Sequence, residues 1–183
     1  EHDACGVGFI ANISGKKEQR VVQYAIEALN SLAHRGALDA DAKTGDGAGI
    51  LVQLPKPFFK READKLGEED LAVGFVFAPA GNKYVVAKCR QFVEEACTKY
   101  GIHFLAWRPV PTNPRCLGDK ARATMPEIMQ CLLGRDLSWS PDEYERKLFL
   151  ARNHAERAAM AEKVDGFYCA SFSGRTIVYK GLF

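Results

Sequence analysis

Cys5 stands at the head of an apolar run, Ala4-Cys5-Gly6-Val7-Gly8-Phe9-Ile10-Ala11-Asn12-Ile13, between a small residue and a glycine that let the backbone be approached closely. Two readings of that thiol are open: a nucleophile displayed at the edge of a strand, or a plain buried cysteine. Attack on a carbonyl needs a thiolate or a nearby base, because an ordinary thiol of pKa about 8.5 is only a few per cent ionised at neutral pH. His34, His103 and His154 are available as bases, and none has a context that ties it to Cys5. The alternative is an α-amine. With a pKa of about 7.7 to 8.0 it is substantially neutral near pH 7, and on an N-terminal cysteine it reaches its own sulfur.

Two further stretches carry the texture of a site. Leu32-Ala33-His34-Arg35-Gly36-Ala37 ends a helical pattern with an imidazole and a fixed cation, and Gly45-Asp46-Gly47-Ala48-Gly49 crowds glycines in front of a strand. Phosphate loops lead from a strand into a helix and use helix N-terminal amides or a lysine. This one leads from a helix into a strand, so the residues alone leave a tight turn, with Asp46 capping its own backbone, as the plainer reading.

The elements that must position these residues belong to a chain of 183 residues, enough for one domain with a sizeable core. Its 25 Lys and Arg against 23 Asp and Glu give a net charge of +2. The charges are interspersed, which argues against a nucleic-acid or membrane partner. No apolar stretch approaches the 18 or so residues of a bilayer span and no leader precedes the first strand, so a cytoplasmic protein is the expectation. The six cysteines form no C-x-x-C pair and no ligand spacing with histidine. Neither zinc nor an iron–sulfur cluster is indicated, and five of the six read as free thiols.

Periodicity predicts a first strand over 4–13, a helix from Val22 to His34, and a strand from Ala48 to Leu54 stopped by Pro55. Ala72 to Phe77 is apolar on both faces, the mark of a strand covered on both. A helix follows over Lys83 to Tyr100, then a strand over Ile102 to Val110, and 126–133 favours strand. Ser140-Pro141-Asp142-Glu143 sets a cap, a proline at the first helical position and a glutamate three residues on, opening a helix to about Ala161 whose charged face carries Arg146, Arg152 and Arg157. The last segment, 166–180, reads as a hairpin around a Ser-Gly turn. Strands at both ends with helices between them indicate a layered α/β or α+β domain with much antiparallel pairing.

Cys-Gly-Val-Gly-Phe at 5–9, His-Arg-Gly-Ala at 34–37 and Thr-Gly-Asp-Gly-Ala-Gly-Ile at 44–50, in that order, resemble the amino-terminal glutaminase domain of glutamate synthase large subunits. The resemblance runs on through Trp107 to Asn113, the helix around Glu145 to Arg152, and Thr176 to Gly181. It implies an α+β, N-terminal-nucleophile hydrolase fold, a four-layer α/β/β/α sandwich of antiparallel sheets, of which residues 5–183 would be the N-terminal, incomplete part. It also implies glutamine hydrolysis, with Cys5 as nucleophile, its own α-amine as base, and Arg35, Gly36, Asp46 and Gly47 shaping the surroundings. L-glutamine would be the substrate, and the ammonia would pass to a synthase domain of the same polypeptide. No cofactor is expected within these residues. FMN and an iron–sulfur cluster are implied for the complete enzyme, with an electron-donating subunit or ferredoxin as partner, in the cytoplasm or in a plastid.

Two departures from the family pattern shape the expected activity. Glu1-His2-Asp3-Ala4 precede Cys5 as a propeptide remnant, so the nitrogen that should be a free amine is a peptide amide. The family's later Arg-Phe-Ser-Thr-Asn and Asn-Gly motifs, with the carboxylate contact and the oxyanion hole, do not occur up to Phe183. The resemblance therefore implies little glutaminase activity for these residues by themselves, since losing one oxyanion donor costs about a hundredfold to a thousandfold.

Overall fold

A computed structural model describes residues 6–32, 47–63 and 70–182. The chain divides into two units: one of residues 1–52, 113–123 and 180–183, the other of 53–112 and 124–179.

The larger unit is built on an antiparallel sheet in the order β3-β4-β2-β5, with β2 Ala72–Ala78, β3 His103–Pro109, β4 Glu127–Gly134 and β5 Tyr168–Ser173. Every residue of β2 is buried, as its apolar run demands. Ala72, Val76 and Ala78 join Met129, Cys131 and Leu133 of β4 and Cys169 and Phe172 of β5 in the main core. That core is closed by two helices, α3 (Lys83–Lys99) and α5 (Pro141–Ala161), through Phe92, Val93 and Cys97 of the first and Leu148, Ala151 and Ala155 of the second. The alternate β2 residues face the other way, where Phe75 meets Tyr179 edge-on at 5.3 Å and Phe77 stacks on Tyr168 at 4.8 Å. A fully buried side chain such as Leu148 is worth about 2 to 5 kcal/mol against alanine.

Gly74 lies at the centre of this sheet, directly between Cys131 and Phe172 in register. A Cβ there would lie 2.4 Å from the Cys131 sulfur and 2.5 Å from the Phe172 ring, so only a residue without one fits.

Both helices begin as the sequence prescribes. Asn82 Oδ1 accepts from Tyr84 N at 2.9 Å, and Ser140 Oγ accepts from Glu143 N at 3.2 Å with Pro141 in the first turn. Gly101, at φ 71°, turns the chain out of α3. Helix α5 also reads the backbone of β5: Glu145 accepts from Ser173 Oγ and Gly174 N, both at 2.8 Å, and Glu156 accepts from Cys169 N at 3.0 Å.

The smaller unit holds helix α1 (Gln19–Ser31), most of strand β1 (Gly47–Gln53) and the short helix α4 (Asp119–Ala123). Strand β6 (Thr176–Leu182) pairs with β1 in a two-stranded sheet.

Three expectations need correction. Residues 6–13 form no strand in the structure, and Val7, Phe9 and Ile13 are almost fully exposed: apolar alternation gives a strand only where a partner edge supplies hydrogen bonds. The expected hairpin is absent, because β5 and β6 belong to different sheets. Gly174 does not take the positive φ of a two-residue hairpin turn, and Ser173 Oγ accepts from both Arg175 N and Thr176 N, so the turn is held by side chains while the chain passes between sheets. Finally, α1 ends at Ser31 with Leu32 as its cap, short of His34, and a helix α2 (Lys56–Ala63) follows Pro55 where none was expected.

Candidate functional site

Of the five residues expected at the site, Cys5, Arg35, Gly36 and Asp46 lie outside the described residues, and Gly47 lies within them. Gly47 opens β1, a strand whose residues alternate between exposed and half-buried, with Gly47 and Gly49 on the open side. The described neighbours of the other two motifs meet each other. Gly6, which follows Cys5, packs against Leu32, which precedes the His-Arg-Gly stretch, and a Cβ on Gly6 would lie 3.1 Å from Leu32 Cδ1. Any side chain at residue 6 would press on that leucine, which accounts for the glycine beside the thiol.

Asn12, which the sequence reading passed over, fixes the path from this contact into α1. Its Oδ1 accepts from Ser14 N at 3.1 Å and from Ser14 Oγ at 2.8 Å. Its Nδ2 donates to Lys16 O at 3.1 Å and to Glu18 Oε1 at 2.9 Å. The signal was present as an Asn two residues before a Ser-Gly pair, an Asx-turn pattern. Gly15 then turns at φ 70° with its N–H on Asn12 O.

The described cysteines divide sharply in chemistry. Cys89, Cys97, Cys131 and Cys169 have no exposed surface. Burial pushes the Cys89 thiol up to about 11 and Cys97 to about 12, and raises Cys131 and Cys169 well above the usual thiol range as well. These are protonated packing groups at neutral pH and out of reach of a substrate. Cys116 is exposed, in a 3-10 turn at Pro114–Cys116, with its sulfur 2.9 Å from Asn113 O. The histidine His154, open as a base on sequence grounds, is occupied by Lys99, whose Nζ lies 3.3 Å from its Nδ1, and packs edge-on to Tyr100. Among the described residues no three His, Cys, Asp or Glu side chains gather as a metal-binding group. No described helix is long and apolar enough to cross a membrane.

One buried polar pair stands apart. Gln130, on the β2–β4 face away from the helices, accepts from Arg108 at 3.0 Å, and the same guanidinium lies 5.2 Å from the Phe58 ring centre. Asp70 is held below the usual carboxylate range by Arg135 at 2.7 Å, with Lys56 at 3.3 Å adding to the effect. These groups fix the ends of strands and offer no nucleophile.

The described residues form an antiparallel α+β framework, and the sequence carries a glycine-flanked cysteine near its start and an Arg-Gly at 35–36. The chain belongs to the class II glutamine amidotransferases, whose match covers residues 5–183. The fold is therefore the N-terminal-nucleophile hydrolase fold. Over its whole length the chain is 46% identical, across 187 residues, to the glutamate synthase [NADPH] large chain of Azospirillum brasilense, of which it covers 12%. It is 38% identical over its whole length to the ferredoxin-dependent glutamate synthase 2 of Synechocystis sp. and to the ferredoxin-dependent glutamate synthase 1, chloroplastic/mitochondrial, of Arabidopsis thaliana, again covering 12% of each.

Proposed function

We propose that this chain is the glutaminase part of a glutamate synthase, with Cys5 as its nucleophile. The observation that carries the reading is the start of the family match, which falls on Cys5 and leaves Glu1 to Ala4 outside. Hydrolysis of the Ala4–Cys5 peptide bond converts an amide nitrogen without basicity into an amine that can take the thiol proton. The sulfur then bonds to the side-chain amide carbon of glutamine. The amine returns its proton to the leaving nitrogen, ammonia departs, and water hydrolyses the thioester to glutamate and free thiol. Arg35, Gly36, Asp46 and Gly47 shape the pocket around that sulfur, a role supported by the Gly6–Leu32 contact between the stretches that lead to Cys5 and Arg35.

The ammonia passes to a synthase domain that aminates 2-oxoglutarate. FMN and an iron–sulfur cluster, which supply the reducing electrons there, belong to that part of the polypeptide. The donor is a nicotinamide-linked subunit or ferredoxin, as the names of the relatives offer both. The setting is cytoplasmic, or a plastid in a photosynthetic eukaryote.

The test is labelling with 6-diazo-5-oxo-norleucine, a glutamine-mimicking electrophile, read by peptide mass spectrometry on protein cleaved before Cys5. Cys5 should react about a hundredfold faster than the exposed Cys116, the least advantage expected of a positioned base. Blocking the new amine by acetylation should abolish that advantage. Equal labelling of Cys5 and Cys116 would overturn the assignment.

A further inference from the structure

Within the smaller unit, the segment from Gly6 to Asn12 lies along one face of α1 and is tied to it at both ends. Glu18, Val21, Ala25, Leu29 and Leu32 are half-buried at steps of three and four while the residues between them are exposed, so one stripe of the helix is covered, from its N-cap to its C-cap. Ile10, Asn12 and Ile13 line one groove with Arg20, Val21 and Tyr24. The segment therefore runs antiparallel to the helix, with Asn12 bonded to Glu18 at one end and Gly6 packed on Leu32 at the other. The two paths are equal in length. Glu18 to Leu32 is fourteen residues of helix, about 21 Å, and the six residues from Asn12 back to Gly6 reach at most about 20 to 22 Å. A segment without slack transmits a displacement of one end to the other.

The anchor at Asn12 is fully engaged. Its oxygen accepts twice from Ser14, and its two N–H groups donate to Lys16 O and Glu18 Oε1, which uses every hydrogen-bonding position of the amide. Glu18 is fixed in turn by Arg20, which binds its other carboxylate oxygen. We propose that Asn12 is a positioning residue for the nucleophile: its bond to Glu18 sets how far the taut segment reaches along α1, and hence where Cys5, one residue before Gly6, stands beside the Arg35-Gly36 stretch that follows the same helix. The proposal rests on the glutaminase function above. In that function the base is the amine of Cys5 itself, so a slip of the segment moves sulfur and base together. The reactivity of the thiol is kept, and its aim at a docked glutamine is lost.

The experiment uses the full-length polypeptide cleaved before Cys5, labelled in parallel with the diazoketone and with iodoacetamide, each cysteine being read by peptide mass. Asn12→Asp keeps the acceptor for Ser14 and removes the donor to Glu18. Diazoketone labelling of Cys5, and kcat for glutamine hydrolysis at unchanged KM, should fall at least about tenfold, since a misplacement of about 1 Å can cost about a hundredfold. Iodoacetamide labelling of Cys5 should hold. Asn12→Asp combined with Glu18→Gln exchanges donor and acceptor between the two positions, and should bring labelling and kcat back to within about threefold of the unaltered protein. Diazoketone labelling of the Asn12→Asp protein at the unaltered rate overturns the positioning role. So does a loss that appears in KM alone, that iodoacetamide shares, or that the second change fails to restore. If Cys5 of the unaltered protein reacts with the diazoketone no faster than Cys116, the glutaminase reading itself is refuted. That result is distinct from an unaltered protein and an Asn12→Asp protein that label equally fast, which refutes the positioning alone.

Discussion

Alkali should dismantle this domain through its core thiols. Cys89, Cys97, Cys131 and Cys169 are all sealed from solvent, and burial holds each above the ordinary thiol range, to about 11 for Cys89 and about 12 for Cys97. The unfolded chain therefore releases these protons first as pH rises. Stability is intact below pH of about 9, drains above it, and goes on draining until the native thiols themselves titrate. At a pH of about 10 each thiol favours the unfolded chain by roughly 1 kcal/mol, and the four together by several kcal/mol, a sizeable share of the 5 to 15 kcal/mol typical of a whole domain. Urea melts in reductant, followed by the fluorescence of Trp107 and Trp139, give the midpoint at each pH. The midpoint should fall steeply between pH values of about 9 and 10, and Cys97→Ala should shrink that fall by about one quarter. A midpoint flat over that interval would refute the reasoning, as would a fall that persists when all four thiols are replaced by alanine or valine.

Gly74→Ala forces a methyl group into the space held by the Cys131 sulfur and the Phe172 ring, so it should cost about 1 to 3 kcal/mol in urea melts, with part of the loss recovered by Phe172→Leu. Glu145→Ala strips the acceptor from Ser173 Oγ and Gly174 N and should lower the urea midpoint by the equivalent of about 1 to 3 kcal/mol at unchanged slope; no change would show that the turn after β5 holds itself.

How much of this was legible beforehand depends on whether a residue's role is local. Ser140-Pro141 capped α5 as written, and the unbroken apolar run of β2 announced a strand covered on both faces, because both signals act within a few residues. Helix α2 was missed for a local reason as well: Pro55 read only as the stop of the preceding strand, yet Pro57 sits in the first turn of the helix that follows, where a missing N–H costs nothing. The errors at residues 6–13 and at the turn after β5 have another origin. Pairing is a property of two segments, and neither the partner strand that Val7 and Phe9 lack among the described residues nor the Glu145 carboxylate that holds Gly174 is visible in the segment itself. Of the site, the order Cys5, Arg35-Gly36, Asp46-Gly47 could be read as motifs, whereas the Asn12 bonds that shape the approach could not be weighed without coordinates.

The bond from Cys169 N to Glu156 has a consequence for solubility. Strand β5 ends its sheet, and an end strand offers free amides on which a foreign strand can grow. Here a helical carboxylate occupies one of those amides beside an irregularity in the pairing that bends the strand away from flatness. Among the described residues, a single glutamate thus makes this stretch of the rim a poor template for strand addition.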